Sequence, residues 1–303
     1  MKKVSIIGMG ALGLLYGSMI RKNCGSDCVE FLMDEERYGK YSTRQFTCNG
    51  EPVDFRLTKV SEAVPADLLI VAVKATGLEA AIRDMKNAVG KDTVIISVMN
   101  GITSEEMIGE VYGSRNLIYC VAQGMDAMKF GDSLSYTRTG ELRIGITASG
   151  NPEALRAVEE FFGRAGIAYT EEDDIIRRLW GKFMLNVGIN QTCMVYGTTY
   201  GGALTKGTPA NRTLIAAMRE VIAIANAEGI DLSEADLNQY INIIGTLSRD
   251  GMPSMAQDRI NKRPSEVESF AGTVIRYAAR HGIHVPENEF LYQKVMEIEE
   301  YNK

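Results

Sequence analysis

Three polar side chains recur at helical spacing between Trp180 and Asn190. Lys182, Asn186 and Asn190 stand at i, i+4 and i+8, and everything between them is apolar or small. On an α-helix this makes one stripe, with successive members about 6 Å apart along the axis. A water-facing stripe is usually filled by Glu, Lys, Arg or Gln, whereas Asn is a mediocre helix former. Two carboxamides and one amine suit an oxygen-rich ligand instead, and the amine can also give up a proton.

A partner for that chemistry is offered at the N-terminus. The apolar run Val4–Ile7 reads as a buried strand, followed at once by Gly8-Met9-Gly10-Ala11-Leu12-Gly13 and a helix to about Lys22. Strand, Gly-x-Gly-x-x-Gly and helix in this order form the dinucleotide-binding pattern. Gly8 allows the tight turn, Gly10 lets the backbone approach a pyrophosphate, and Gly13 lets helix pack on strand. The phosphates then meet unsatisfied N–H groups at the helix start.

Cofactor choice is decided at the tip of the next strand, Val29–Met33, which runs into Asp34-Glu35-Glu36-Arg37. An acidic residue there accepts from the ribose hydroxyls of NAD, and a cation meets the 2′-phosphate of NADP. Asp34 fits the first role and Arg37 the second, and both equally fit the start of a helix. Two further apolar strands, Asp67–Val73 and Thr93–Met99, end in Lys74 and in Asn100-Gly101. Ligands of doubly wound sheets bind beyond the strands' carboxyl ends, so Gly8, Lys74 and Asn100 are expected around one crevice. Taken singly, Lys74 reads as a solvated charge and Asn100 as a turn residue.

The elements that must hold these groups follow from pattern. Phe46–Phe55 reads as a hairpin around Asn49-Gly50, Asn116–Ala122 as another strand, and Leu134–Ile146 as a hairpin around Thr139-Gly140. Pro152 opens a helix closed by Gly166, and Ile167–Thr170 forms a last edge strand. Thr170-Glu-Glu-Asp resembles a capping box for the helix carrying Lys182. The strand signals stop there, which predicts an α/β Rossmann-type domain over 1–170 and an all-helical domain over 171–303. In the latter, helices are expected over Pro209–Glu228, Ser233–Leu247, Pro264–His281 and Glu287–Glu300. Glu266 would lie in the first turn of the third, where a carboxylate also serves the helix dipole. Ser254, after Pro253, sits in a loop, and a serine there is most often a turn residue.

Composition removes several classes. At 45% hydrophobic, 24% charged and net charge −6, the 303 residues carry no basic field for nucleic acid or an anionic membrane. No segment is apolar for long enough to span a bilayer, and glycines interrupt the N-terminal apolar run. Five scattered cysteines and two histidines, His281 and His284, supply no metal-ligand set and indicate a reduced, cytoplasmic chain.

The glycine turn, V-K-A at Val73–Ala75, N-G at Asn100-Gly101, K-x3-N-x3-N at Lys182–Asn190, and S-M-x-Q-D at Ser254–Asp258 with E-V-E at Glu266 resemble the ketopantoate reductase (2-dehydropantoate 2-reductase) family. The resemblance covers nearly the whole chain in the same order. It implies a Rossmann domain plus a helical domain like that of 6-phosphogluconate dehydrogenase. It also implies reduction of the ketone of 2-dehydropantoate to (R)-pantoate, a step of pantothenate synthesis, with NADPH. Lys182 would be the catalytic acid and Glu266 would hold the substrate and assist the lysine. Asn186, Asn190 and Ser254 would contact the substrate, and Lys74 and Asn100 would lie where nicotinamide and substrate meet. At the tip of strand two the family commonly carries Arg. Here Met33-Asp34 stand there, which leaves Arg37 for the 2′-phosphate and makes NADH an alternative donor.

The partner expected is therefore a small 2-oxo acid, with a homodimer by analogy. Two rival readings are a reductase of another branched 2-oxo acid and a non-catalytic dinucleotide sensor. The sensor would have no use for Lys182, Asn186, Asn190 and Glu266 together.

Overall fold

The computed structural model describes residues 1–301, and the chain divides after Ile175 into two compact units. The first is built on strands β1 (Val4–Ile7), β2 (Val29–Met33), β3 (Phe46–Cys48), β4 (Glu51–Val53), β5 (Arg56–Lys59), β6 (Leu68–Val71), β7 (Val94–Ser97), β8 (Leu117–Met125), β9 (Met128–Phe130), β10 (Ser133–Ser135), β11 (Thr139–Gly145) and β12 (Tyr169–Glu171). Its helices are α1 (Ala11–Cys24), α2 (Glu35–Tyr41), α3 (Leu78–Asp84), α4 (Ser104–Tyr112) and α5 (Pro152–Ala165).

Eight strands form one sheet in the order β12-β11-β8-β7-β6-β1-β2-β5. All neighbours are parallel except β8 and β11, which run antiparallel. β1, β2, β6 and β7 carry almost nothing but Val, Ile, Leu, Phe and Met because helices cover both faces. Ile6 and Phe31 pack with α1 and α5 through Leu14, Leu15, Phe161 and Phe162. Their neighbours Ile7 and Leu32 pack on the opposite face with Leu78 and Ile82 of α3 and Ile108 of α4. The chain leaves β1 for β2 on one side and later returns to β6 on the other. The strand order thus reverses between β1 and β6, where such sheets leave a crevice at their carboxyl edge.

A second, four-stranded sheet has the order β4-β3-β10-β9. Asn49 and Gly50 both take positive φ (50° and 87°), so the β3–β4 hairpin turns where the Asn-Gly pair predicts. The hairpin expected over Leu134–Ile146 does not form. β10 joins β3 and β9 in the small sheet, whereas β11 crosses to pair with β8 of the large one. Alternation along the sequence marks the two strands and leaves the choice of sheet to distant partners. The edge strand is displaced to Tyr169–Glu171, with Thr170 opposite Arg143 and Glu171 opposite Ile144. Thr170 is therefore committed to the ladder and caps no helix.

The second unit is all helix among the described residues. It comprises α6 (Ile175–Tyr196), α7 (Tyr200–Leu204), α8 (Pro209–Ala227), α9 (Glu234–Gly245), α10 (Ser254–Ile260), α11 (Ala271–His281) and α12 (Pro286–Tyr301). α6 is its axis, burying Phe183, Met184, Val187, Ile189, Cys193 and Met194. At Gly188 a β-carbon would fall 2.5 Å from Met218 Cγ of α8, so the two helices meet closely there. Pro264 starts no helix. The chain runs irregularly to a single 3₁₀ turn at Val267–Ser269, and α11 begins only at Ala271, whose N–H donates to the Gln191 side chain of α6 (3.0 Å).

Candidate functional site

The stripe on α6 is largely inside the protein. Asn186 and Asn190 are each 6% exposed, and Lys182 is half-buried one turn earlier. A short relay fixes the two amides. The Ser254 hydroxyl, at the start of α10, and the Met255 N–H both donate to Asn190 Oδ1, at 3.0 and 3.3 Å. Asn190 Nδ2 then donates to Asn186 Oδ1 at 3.2 Å. A backbone N–H can only donate, so the direction of every later bond is set by it. With both carbonyl oxygens occupied as acceptors, Asn186 is left presenting its NH₂ group, a pure donor.

Ser254 reaches this stripe because the segment after Pro253 is a helical turn, where a loop had been expected. Glu266 immediately precedes the 3₁₀ turn at φ −103° and ψ 26°, half-buried, and its backbone carbonyl accepts from Ser269 and Phe270. It is not in the first turn of an α-helix, so the helix-dipole role does not apply.

In the first unit the glycine turn has the strain its sequence implies. Gly8 has φ 109°, and a β-carbon on it would sit 2.4 Å from the Ala72 carbonyl oxygen. One on Gly13 would sit 2.0 Å from the Gly8 oxygen. Gly10 is different: it is exposed at the N-cap of α1, and its β-carbon would meet only Ala72 O at 3.6 Å. Protein packing does not require that glycine, which is what close approach by a ligand from outside would leave. The N-cap, Gly10, has no side chain to cap α1, and no acidic residue lies in its first turn, so its N–H groups suit a phosphate.

Lys74 follows β6 and opens a 3₁₀ turn, and Asn100 follows β7, with Gly101 at φ 99°. β1, β6 and β7 are adjacent and parallel, so Gly8, Lys74 and Asn100 stand at the same edge of the sheet. Asp34 Oδ1 accepts from the Arg37 N–H at 2.7 Å and caps α2. The Arg37 guanidinium lies 3.6 Å from the same carboxylate, so the two candidates for the ribose end hold one another.

Two groups near these loops escaped the sequence reading. Glu105, 2% exposed at the start of α4, has its carboxyl pKa pushed up to about 7 by burial. The Ser104 hydroxyl, its own N–H and that of Cys120 oppose the shift by hydrogen bonding. Lys129 on β9 donates to the Met9 carbonyl of the glycine turn at 2.7 Å. The only local sign of it is a cation between exposed Met128 and Phe130 in a three-residue strand. Among the described residues no three potential metal ligands cluster, and no helix is long and apolar enough to cross a membrane.

A Rossmann-type sheet with its glycine turn, followed by a helical unit carrying a largely buried Lys-Asn-Asn stripe, defines a two-part architecture, one part α/β and the other all helix. The chain belongs to the ketopantoate reductase family. Residues 4–148 match ketopantoate reductase PanE/ApbA and residues 174–299 match its C-terminal part. The 2-dehydropantoate 2-reductase of Lactococcus lactis is 26% identical, with 99% of each chain covered. The crystal structure of a PanE/ApbA family ketopantoate reductase from Ralstonia eutropha superposes with TM-score 0.83 at 25% identity, covering 99% of both chains. D-mandelate dehydrogenase in complex with NADH shares the fold at TM-score 0.88 and 21% identity, covering 99% of this chain and 100% of that one.

Proposed function

We propose that this protein is a 2-oxo acid reductase that converts 2-dehydropantoate to (R)-pantoate with NADPH. The observation that carries the reading is the relay from Ser254 through Asn190 to Asn186, which leaves the Asn186 NH₂ group as a donor one turn from Lys182. A 2-oxo acid is an array of acceptor oxygens, and such a site offers it donors without adding negative charge.

The glycine turn fits a dinucleotide, with Gly8 and Gly13 closed by packing and Gly10 open. Gly8–Gly13 would hold its phosphates, Lys74 and Asn100 its nicotinamide end, and Arg37 the 2′-phosphate. When bound, the cofactor supplies the hydride. Lys182 stabilises the oxyanion forming on the ketone oxygen and then protonates it. Glu266 accepts from the substrate hydroxyl and supports the lysine, while Asn186 and Ser254 orient the carboxylate and hydroxyl.

A second reading, an NADH-dependent reductase of another branched 2-oxo acid, is favoured by Asp34 at the tip of β2, where it can accept from ribose hydroxyls. One experiment tests both: loss of nicotinamide absorbance with NADPH and with NADH, across 2-dehydropantoate and several other 2-oxo acids. The expected result is NADPH oxidation that is fastest with 2-dehydropantoate. Faster turnover of another acid with NADH moves the assignment to the second reading. No oxidation of either cofactor by any acid removes the enzyme and leaves a dinucleotide sensor.

A further inference from the structure

We propose that Lys129 is a dinucleotide-binding residue, its ammonium holding the diphosphate bridge beside the glycine turn. The inference rests on the reductase reading only in taking a nicotinamide dinucleotide as the ligand.

Among the described residues the Lys129 ammonium has no counter-ion in contact with it. Lys129 sits on β9, whose flanking residues Met128 and Phe130 face solvent while the lysine turns inward. Its nitrogen lies 5.6 Å from the centre of the Tyr41 ring and donates to the Met9 carbonyl, between Gly8 and Gly10. An ammonium has three donors, and this is the one hydrogen bond it makes among the described residues. No carboxylate there lies within ion-pairing range of it. Asp132, the nearby acid that favours its charge, is already gripped by the Arg44 guanidinium at 2.9 and 3.2 Å.

The surroundings make the missing charge an anion. Arg44 lies 5.4 Å from the centre of the same Tyr41 ring, so two cations share one aromatic support. Burial pulls the Lys129 amine below an ordinary lysine; Asp132 opposes this, and Arg44 and Lys40 add to it. A half-buried cation among other cations is unfavourable unless an anion completes the group. The neighbouring structure is the uncapped start of α1 with its exposed Gly10. Lys129 is tied to that turn, whereas the 2′-phosphate belongs at the β2 tip, where Asp34 and Arg37 stand. The diphosphate is therefore the anion assigned.

The test is calorimetric titration of the full-length protein and its Lys129→Met variant with NADH, NADPH and ADP-ribose. All three ligands share the diphosphate. The expected result is a rise in Kd of about tenfold, the scale of a lost charge-assisted hydrogen bond, by the same factor for each ligand. Lys129→Arg should restore most of the affinity, which a purely structural lysine would not explain. Should the Met variant misfold, Lys129→Gln replaces it, with the same expectation. Unchanged Kd values overturn the proposal, and so does a loss confined to NADPH, which would assign the amine to the 2′-phosphate. A wild-type protein that binds no dinucleotide overturns this proposal and the reductase reading together. Normal binding by the variant overturns this proposal alone. Weakened binding in a protein without turnover supports it while removing the reductase.

Discussion

At the scale of single residues, the function proposed for α6 depends on one amine and on the direction of three hydrogen bonds. Lys182→Ala is expected to lower kcat by at least about 10²-fold, as loss of a general acid does, with dinucleotide affinity unchanged. Near-normal turnover would remove Lys182 from the chemistry. The relay makes a finer prediction. Asn190 is held by two donors, so Ser254→Ala leaves it the Met255 N–H, while Asn190→Ala releases Asn186 altogether. Asn190→Ala should therefore raise KM more than Ser254→Ala, and adding Ser254→Ala to it should cost less than Ser254→Ala costs alone. Additive effects in the double variant would mean that the residues act separately. The spacing of Lys182, Asn186 and Asn190 was readable from sequence because it is local to one helix. The polarity of the relay was not, since its origin is a backbone N–H 65 positions further along the chain.

At the scale of elements, β1, the glycine turn and α1 were legible because strand, turn and helix each obey rules that act within a few residues. The misreadings share the opposite cause. β10 and β11 alternate as one hairpin should, yet each finds its partners in a different sheet. Thr170 looks like a cap and is taken by β12, and Pro264 looks like a helix start but precedes a 3₁₀ turn. Within the turn itself the glycines divide by cause. Gly13→Ala would drive a methyl into the Gly8 carbonyl and should lower Tm by several degrees, whereas Gly10→Ala has room in the protein. We expect Gly10→Ala to keep its Tm and lose dinucleotide affinity; unaltered affinity would show that no ligand approaches there. α4 adds a pH-dependent element through Glu105. A carboxyl whose folded pKa is raised to about 7 contributes stability that is complete below its unfolded value near 4.5 and is lost as pH rises through 7. The loss is on the order of 3 kcal/mol. Glu105→Gln keeps an acceptor and removes the ionisation, so its Tm relative to wild type should improve from about pH 5 to about pH 8. A constant difference across that range would exclude Glu105 as the source.

At the scale of the whole molecule, a chain of net charge −6 is proposed to bind an anionic cofactor and an anionic acid. Two effects compete. The summed field repels both ligands, and the local cations attract them: Lys129, Arg44 and Lys40 by the glycine turn, and Lys182 on α6. Their ranges decide the outcome. Screening extends over about 10 Å at 0.1 M salt, so most of the excess acidic charge is damped at a bound phosphate while a contact at about 3 Å is not. Repulsive control would let added salt tighten binding, whereas control by contacts makes salt weaken it. We expect the Kd for NADPH to rise steadily from about 0.05 to about 0.5 M salt, with a shallower slope in Lys129→Met, because one cation fewer then meets the phosphates. A Kd that falls with salt would mean that the global field governs binding and that the cations around the turn act too weakly to overcome it.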